Sequence, residues 1–291
     1  MEDKLHLKSY AKINLLLDVI GEYDNGYHQV EMVMQAIDLC DQLFFNKVEQ
    51  GIHIECNHQG VPLGEENLIY QAAELLLNEF ELTGGLEVEV QKNIPVSAGL
   101  AGGSSNAAAT LVAVNHLWDL GLDMNELEVR AAKLGADVPF CLKGGTQLAT
   151  GTGTKLEKLD VDPELNLVVI NPPFEVSTAE IYKNFVLSEV QSHPQLDKLL
   201  TALENNSYQL ILSNLENLLE LVAINRYPKI EEIKKNVSDK MDRVLMSGSG
   251  PTILGFVENQ FEAQSLANNL RQELSDDYKI YSAVTINKGV E

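Results

Sequence analysis

The stretch Ile94-Pro95-Val96-Ser97-Ala98-Gly99-Leu100-Ala101-Gly102-Gly103-Ser104-Ser105-Asn106 carries the strongest chemical signal in the chain. Its glycines remove side chains where a ligand must approach backbone, and they tolerate positive φ. The run passes straight into Ala107-Ala108-Ala109, so a helix starts at its end. Ser104 and Ser105 read as N-caps whose hydroxyls also suit phosphate oxygens or a metal's water shell. A helix start adds unpaired N–H groups and a positive dipole end, which together attract an anion. This is not a Walker A loop, because no Gly-Lys-Ser/Thr is present, and the glycines are not spaced as GxGxxG. The plainer reading of the same residues is a flexible strand-to-helix loop before an alanine-packed helix.

A phosphate loop without its own lysine needs a cation from elsewhere. Lys12, in Ala11-Lys12-Ile13-Asn14-Leu15, is the candidate. On a strand Lys12 and Asn14 share one face, opposite Ile13, Leu15 and Leu17. A solvated polar face would give the same pattern. Asp137, between Gly135 and Pro139, is either a turn-former or a reactive carboxylate. His53, Cys56 and His58 look faintly metal-like, but His53 and Cys56 have opposite strand parity and no fourth ligand is near, so no metal site is assigned. Ser247-Gly248-Ser249-Gly250-Pro251 is a tight hairpin, or a turn lying against a ligand or another loop.

These residues need elements to hold them. Period-two alternation predicts strands over 5–7, 13–19, 30–37, 42–48, 52–56 and 86–90. Asn67 caps a helix reaching Phe80, and Asp123 caps another over 125–134; between them a helix runs from the Gly-rich stretch to about Leu120. Residues 136–139 turn the chain. A strand pair flanks the Gly and Thr cluster near 150–158, followed by a strand at 167–170. Helical patterns then fill 179–237, broken at Pro194 and Pro228, before strand, turn, strand, helix and strand to 286. Strands and helices mixed in this order predict α+β in two domains, 1–155 and 156–291.

Charge sets a further condition. Lys and Arg number 21 against 43 Asp and Glu, a net −22 over 291 residues. That field repels phosphate backbones and anionic membrane surfaces, so no nucleic-acid or membrane partner is expected. An anionic substrate must be held by a local exception. Three widely spaced cysteines without CxxC argue against a disulfide framework. Met1-Glu2-Asp3-Lys4-Leu5 does not open like a signal peptide, and no run of ~18 apolar residues exists; a cytoplasmic protein is expected.

Three separated segments now line up. Ala11-Lys12-Ile13-Asn14, residues 95–109 and Met246-Ser247-Gly248-Ser249-Gly250-Pro251-Thr252 resemble the three motifs of the GHMP kinases, small-molecule kinases with a non-Walker phosphate loop. Three more segments are similar to the branch acting on a cytidine-diphospho-methylerythritol: Asp24-Asn25-Gly26-Tyr27-His28, Gly135-Ala136-Asp137-Val138-Pro139-Phe140 and Ser177-Thr178-Ala179-Glu180-Ile181-Tyr182. Tyr10 departs from the pattern, standing where proline is common.

The resemblance implies an N-terminal ATP-binding domain with a left-handed βαβ unit, a ferredoxin-like C-terminal domain, and an active site between them. It implies ATP and Mg²⁺ as cofactors, and a small-molecule substrate phosphorylated on its tertiary 2-hydroxyl in the non-mevalonate route to isoprenoids. Pro95, Val96, Ser97, Ala98, Gly99, Leu100, Ala101, Gly102, Gly103, Ser104 and Ser105 would wrap the ATP phosphates. Lys12 and Asp137 would flank the acceptor hydroxyl, with Asp137 as base or orienting group. Tyr27 and Tyr182 would sandwich the cytosine, His28 would read its edge, and Asn14 and Thr178 would add contacts. Helix N–H groups, Mg²⁺ and Lys12 would then supply the positive field that the chain lacks. A monomer or weak homodimer is expected. Two other readings stand beside this one: a GHMP kinase for another small alcohol, such as homoserine or a mevalonate derivative, and a nucleotide-binding regulator without catalysis.

Overall fold

Two long strands frame the first half of the molecule: β1 (Leu5–Glu22) and β2 (His28–Val48), paired antiparallel. In this computed structural model residues 4–24 and 26–291 are described. Met1, Glu2 and Asp3 of the chain's opening and Asn25 of the 24–28 segment lie outside the described residues. Alternation had predicted each long strand as two pieces. They are continuous because register shifts at Tyr10/Ala11, Asn14/Leu16 and Val19/Gly21 absorb the breaks in the pattern. Residues 11–19 are buried on both faces, which removes the alternation there.

β3 (Ile52–Cys56), α1 (Leu68–Glu79) and β4 (Gly85–Gln91) make a parallel βαβ unit beside β2. Asn67 caps α1 by accepting from the Ile69 amide. Three helices follow, α2 (Gly102–Leu117), α3 (Met124–Leu134) and α4 (Val138–Lys143). Asp123 and Glu126 form a full capping box on α3. Two expectations fail here. α2 starts at Gly102 behind an Ala101 N-cap in the left-handed region, so Ser104 and Ser105 lie inside the first turn and cap nothing. The turn expected over 136–139 forms only at Ala136 and Asp137; 138–143 are helical, because Pro139 sits in the first turn, where its missing N–H costs no bond. β5 (Thr146–Gly151) and β6 (Lys155–Lys158) form a hairpin on the β2 edge.

The second half contains β7 (Asn166–Asn171), α5 (Thr178–Lys183), α6 (Leu196–Glu204), α7 (Tyr208–Ser213) and β8 (Glu216–Asn217). Then come α8 (Leu219–Arg226), α9 (Pro228–Ser238), β9 (Arg243–Met246), β10 (Ile253–Val257), α10 (Gln260–Glu273) and β11 (Lys279–Val284). Its sheet runs β11-β7-β10-β9, antiparallel throughout. Within this half that is the fourth-first-third-second strand order of a ferredoxin-like domain. β8 interrupts the predicted helical stretch: Glu216 and Asn217 pair in parallel with Leu16 and Leu17, extending the first sheet. The change of sheet falls in 159–165, after β6 and before β7.

Among the described residues no helix is long and apolar enough to cross a membrane. The Gln50 carbonyl lies 3.1 Å from His53 Nε2, and the Gly60 amide donates to His58 Nδ1. No group of three His, Cys, Asp or Glu gathers anywhere among the described residues in a metal-binding arrangement.

Candidate active site

Lys12 sits mid-strand in β1 and is buried, not on a solvated polar face. Its Nζ donates to Asn14 Oδ1 at 2.9 Å and lies 3.8 Å from Asp137 Oδ2. Asp137 occupies the N-cap position of α4 but makes no capping bond, so the helix does not consume its carboxylate. About a third of that side chain remains exposed, at 35%. An ammonium held in place by strand burial and a carboxylate held by a short helix therefore face one another across the mouth of the Gly-rich loop. Behind them Cys141 is buried; burial, and the Asp137 charge after it, push its thiol far above the usual range. Cys141 packs behind the pair.

The loop itself turns by alternation: Ser97, Gly99 and Ala101 stand at φ 53°, 73° and 56°. Left-handed conformations at Ser97 and Ala101 cost roughly 1–2 kcal/mol each. Several anchors over-determine the shape. Asp41, fully buried, accepts from the Asn93 and Ile94 amides and pairs with Lys92 Nζ at 2.6 Å. Leu100 plugs the core, and its carbonyl accepts from the Lys12 amide at 3.1 Å, tying loop to strand. Ser105 also faces inward: its hydroxyl donates to the Tyr10 carbonyl at 2.7 Å. What the loop leaves toward solvent is the start of α2, where the first-turn N–H groups of Gly102, Gly103 and Ser104 have no helical partner. A Cβ at Gly103 would meet only Leu68 Cδ1 at 3.9 Å, so the space before it is open. A Cβ at Gly102 would instead lie 2.7 Å from Lys92 Nζ.

The turn 247–251 rests on this loop. Ser247 Oγ donates to the Gly99 carbonyl at 3.1 Å, and a Cβ at Gly99 would fall 2.5 Å from the Ser247 carbonyl oxygen. Glycine at 99 is required by this close approach and by φ together. Asn217 fastens the turn from below, donating to the Met246 and Gly248 carbonyls at 2.8 and 2.7 Å.

Two cavities flank Gly99 and Ala101. The larger, about 780 Å³, is lined by Lys12, Asn14, Tyr27, His28, Asp137, Thr178 and Tyr182 together. The smaller, about 300 Å³, takes in Pro95, Val96, Ser97, Ala98, Gly102 and Gly103 with Asn67 and Lys92. Leu100, Ser104 and Ser105 line neither. In the larger cleft the His28 and Tyr182 rings lie 5.2 Å apart and tilted by 42°, with Phe185 edge-on to His28 at 6.0 Å. Burial, and secondarily the Asp137 charge, raise the Tyr182 phenol to about 12. Tyr27 stands at the rim, 66% exposed. Thr178 and Ser249 share a hydroxyl hydrogen bond of 2.7 Å across the cleft floor.

Sequence reasoning missed Asp41, Lys92 and Asn217. Lys92 had a signal, a cation just before Pro95; the Asp41 and Asn217 bonds depend on pairings far apart in the chain.

The chain matches the GHMP kinases N terminal domain family over residues 67–145 and the GHMP kinases C terminal family over 193–276. A 4-diphosphocytidyl-2-C-methyl-D-erythritol kinase of Clostridium botulinum (strain Alaska E43 / Type E3) is 44% identical over 274 residues, 94% of this chain and 98% of that one. The enzyme of that name from Geobacillus kaustophilus (strain HTA426) is 45% identical, covering 92% and 93%. A crystal structure of a 4-(cytidine 5'-diphospho)-2C-methyl-D-erythritol kinase superposes with a TM-score of 0.84 at 31% identity, over 97% of this chain and 99% of that one. With both halves of the fold, the three motifs and near-full-length likeness in agreement, the chain belongs to the GHMP kinases, in the family of the 4-diphosphocytidyl-2-C-methyl-D-erythritol kinases.

Proposed function

We propose that the protein transfers the γ-phosphoryl group of ATP to the tertiary 2-hydroxyl of 4-diphosphocytidyl-2-C-methyl-D-erythritol, a step of non-mevalonate isoprenoid synthesis. The observation that carries this reading is the Lys12–Asp137 pair at 3.8 Å, set where the Gly-rich loop meets a cleft lined by aromatic rings. Membership of a kinase family implies ATP use. The expected boundary at 155 would cut the β5–β6 hairpin, so the division falls at 159–165; the part before it binds ATP and the part after it closes the substrate side. The ATP nucleoside enters the smaller cavity and its phosphates lie on the loop and the α2 start.

Phosphoryl transfer asks for positioning and for cancellation of charge on the equatorial oxygens. Lys12 does the second, its position fixed by Asn14. Asp137 orients the acceptor hydroxyl and takes its proton as the new P–O bond forms. Mg²⁺ suits this site because it keeps most of its waters and relies on phosphate oxygens, which fits a loop with one carboxylate nearby. Asp137 is the group that would meet its water shell; bound there, it would neutralise phosphate charge. Tyr27, Tyr182 and His28 hold the cytosine, and Asn14 and Thr178 contact the alcohol end. A cleft of about 780 Å³ suits a nucleoside-diphosphate alcohol better than an amino acid.

A coupled assay of ADP release tests the reading. ADP should appear with the cytidine substrate and not above background with homoserine or mevalonate. A faster rate on either of those alcohols overturns the assignment.

A further inference from the structure

The short helix α4 presents Asp137 at one end, and its other end is pinned by a distant part of the chain. A Cβ at Gly144, the C-cap, would lie 1.7 Å from the Lys288 carbonyl oxygen. A Cβ at Gly289 would lie 2.0 Å from the Leu142 carbonyl oxygen, and one at Gly145 2.5 Å from Asn287 Oδ1. Residues 287–289 therefore run against the last turn of α4 at backbone contact. Both flanks of that segment are anchored. The Ile286 amide donates to the Ala36 carbonyl at 2.9 Å, and Gln35 Nε2 donates to the Ile286 carbonyl at 3.0 Å. Beyond the contact, the Glu291 amide donates to the Lys8 carbonyl at 3.1 Å. The segment leaves β11 of the second sheet, crosses the end of α4 and joins the start of β1.

A six-residue helix has little stability of its own, so its placement comes from what it packs against. Residues 138–142 are all buried, so packing on every side fixes its depth. Sliding along the helix axis toward the C-cap is opposed by the 287–289 backbone. Such a slide would draw Asp137 away from Lys12.

We infer that residues 286–291 act as a strap that positions α4, so that Gly144 and Gly289 are positioning residues for Asp137. This inference rests on the proposed role of Asp137 in phosphoryl transfer. Gly289 does not stand at positive φ, so Gly289→Ala adds only the backbone conflict with Leu142 and Lys143, which the strap must shift to relieve.

The test is made on full-length Gly289→Ala. Amides of Val138 and of 140–143 should exchange with deuterium at least tenfold faster, while β7 amides are unchanged. The kcat for the cytidine substrate should fall about tenfold, with KM and calorimetric ATP affinity within twofold of the parent. Should Gly289→Ala melt far below the parent, Glu291→Ala, which frees Tyr10 and Lys288 at the strap's end, is read by the same exchange measurement. Unchanged α4 exchange in a folded variant overturns the strap. So does faster exchange with undiminished kcat when Asp137→Asn itself is slow. If Asp137→Asn is as active as the parent, the role given to Asp137 fails instead, and α4 exchange alone judges the strap.

Discussion

Lys12 and Asp137 should act as a unit, and a double-mutant cycle measures how far. Lys12→Met replaces a buried ammonium by an apolar side chain of similar length. It should lower the melting temperature modestly, because the buried Asn14 Oδ1 loses its donor while the Asp137 carboxylate keeps access to water. Asp137→Asn keeps shape and removes charge. At 3.8 Å the two charges attract by about 4 kcal/mol at an effective dielectric constant of ~20 and by about 1 kcal/mol in water. With Lys12 buried and Asp137 a third exposed, the coupling falls between those limits. Each single change should cost ~10² to 10³ in kcat, the scale of one positioned acid–base group or one charge-stabilising donor. Independent groups would give a double mutant ~10⁴ to 10⁶ slower. A coupled pair should instead leave the double mutant about as slow as the worse single, near ~10³. Single-turnover ADP formation, with thermal melts as the control for folding, reads all four corners of the cycle. Additive losses, or near-parental turnover in Asp137→Asn, would refute the reasoning.

Other positions give separate readouts. Gly103→Val has room in the protein but fills the ligand side of the loop, so calorimetric ATP affinity should fall at least tenfold, about 1.4 kcal/mol; an unaltered affinity would remove the loop from the nucleotide site. Tyr182→Ala should raise KM for the cytidine substrate ~5- to 150-fold with ATP binding little changed, on the base-stacking scale of about 1–3 kcal/mol. It will also lose packing, so KM rather than melting temperature decides. His28→Ala should erode the preference for cytosine over uracil analogues in competition assays. The Tyr182 phenol rises from 10.0 to about 12 on folding, so its contribution to stability is complete below pH 10 and is lost as pH climbs through about 12. Tyr182→Phe should remove that share of the alkaline loss in melts taken across the range.

Much of this was legible from residue types, for identifiable reasons. The caps at Asn67 and Asp123 are local devices, and both form as read. Lys12, Asn14, Asp137, Tyr27, His28, Thr178 and Tyr182 were picked out by short motifs, and one cleft gathers all seven. The helix start was misread because serine is a strong N-cap, whereas here the turn geometry is set by left-handed Ser97, Gly99 and Ala101. The polar-face alternative for Lys12 failed because β1 is covered on both sides. β8 was hidden because a two-residue parallel strand has no periodicity to detect; it exists only through Leu16 and Leu17. Likewise nothing around Asp41 or Asn217 announces a buried anchor. Their partners at 92–94 and at 246–248 are supplied by the fold.

The most direct test of the central claim is the ³¹P spectrum of the product made by the purified protein from ATP, Mg²⁺ and 4-diphosphocytidyl-2-C-methyl-D-erythritol. A phosphate on a tertiary carbon has no hydrogen three bonds from phosphorus, so the new phosphomonoester should appear as a singlet, matched one-for-one by ADP. A doublet or triplet would put the phosphate on a secondary or primary hydroxyl, and ADP without any new phosphomonoester would make the protein a mere ATPase; either result contradicts the account.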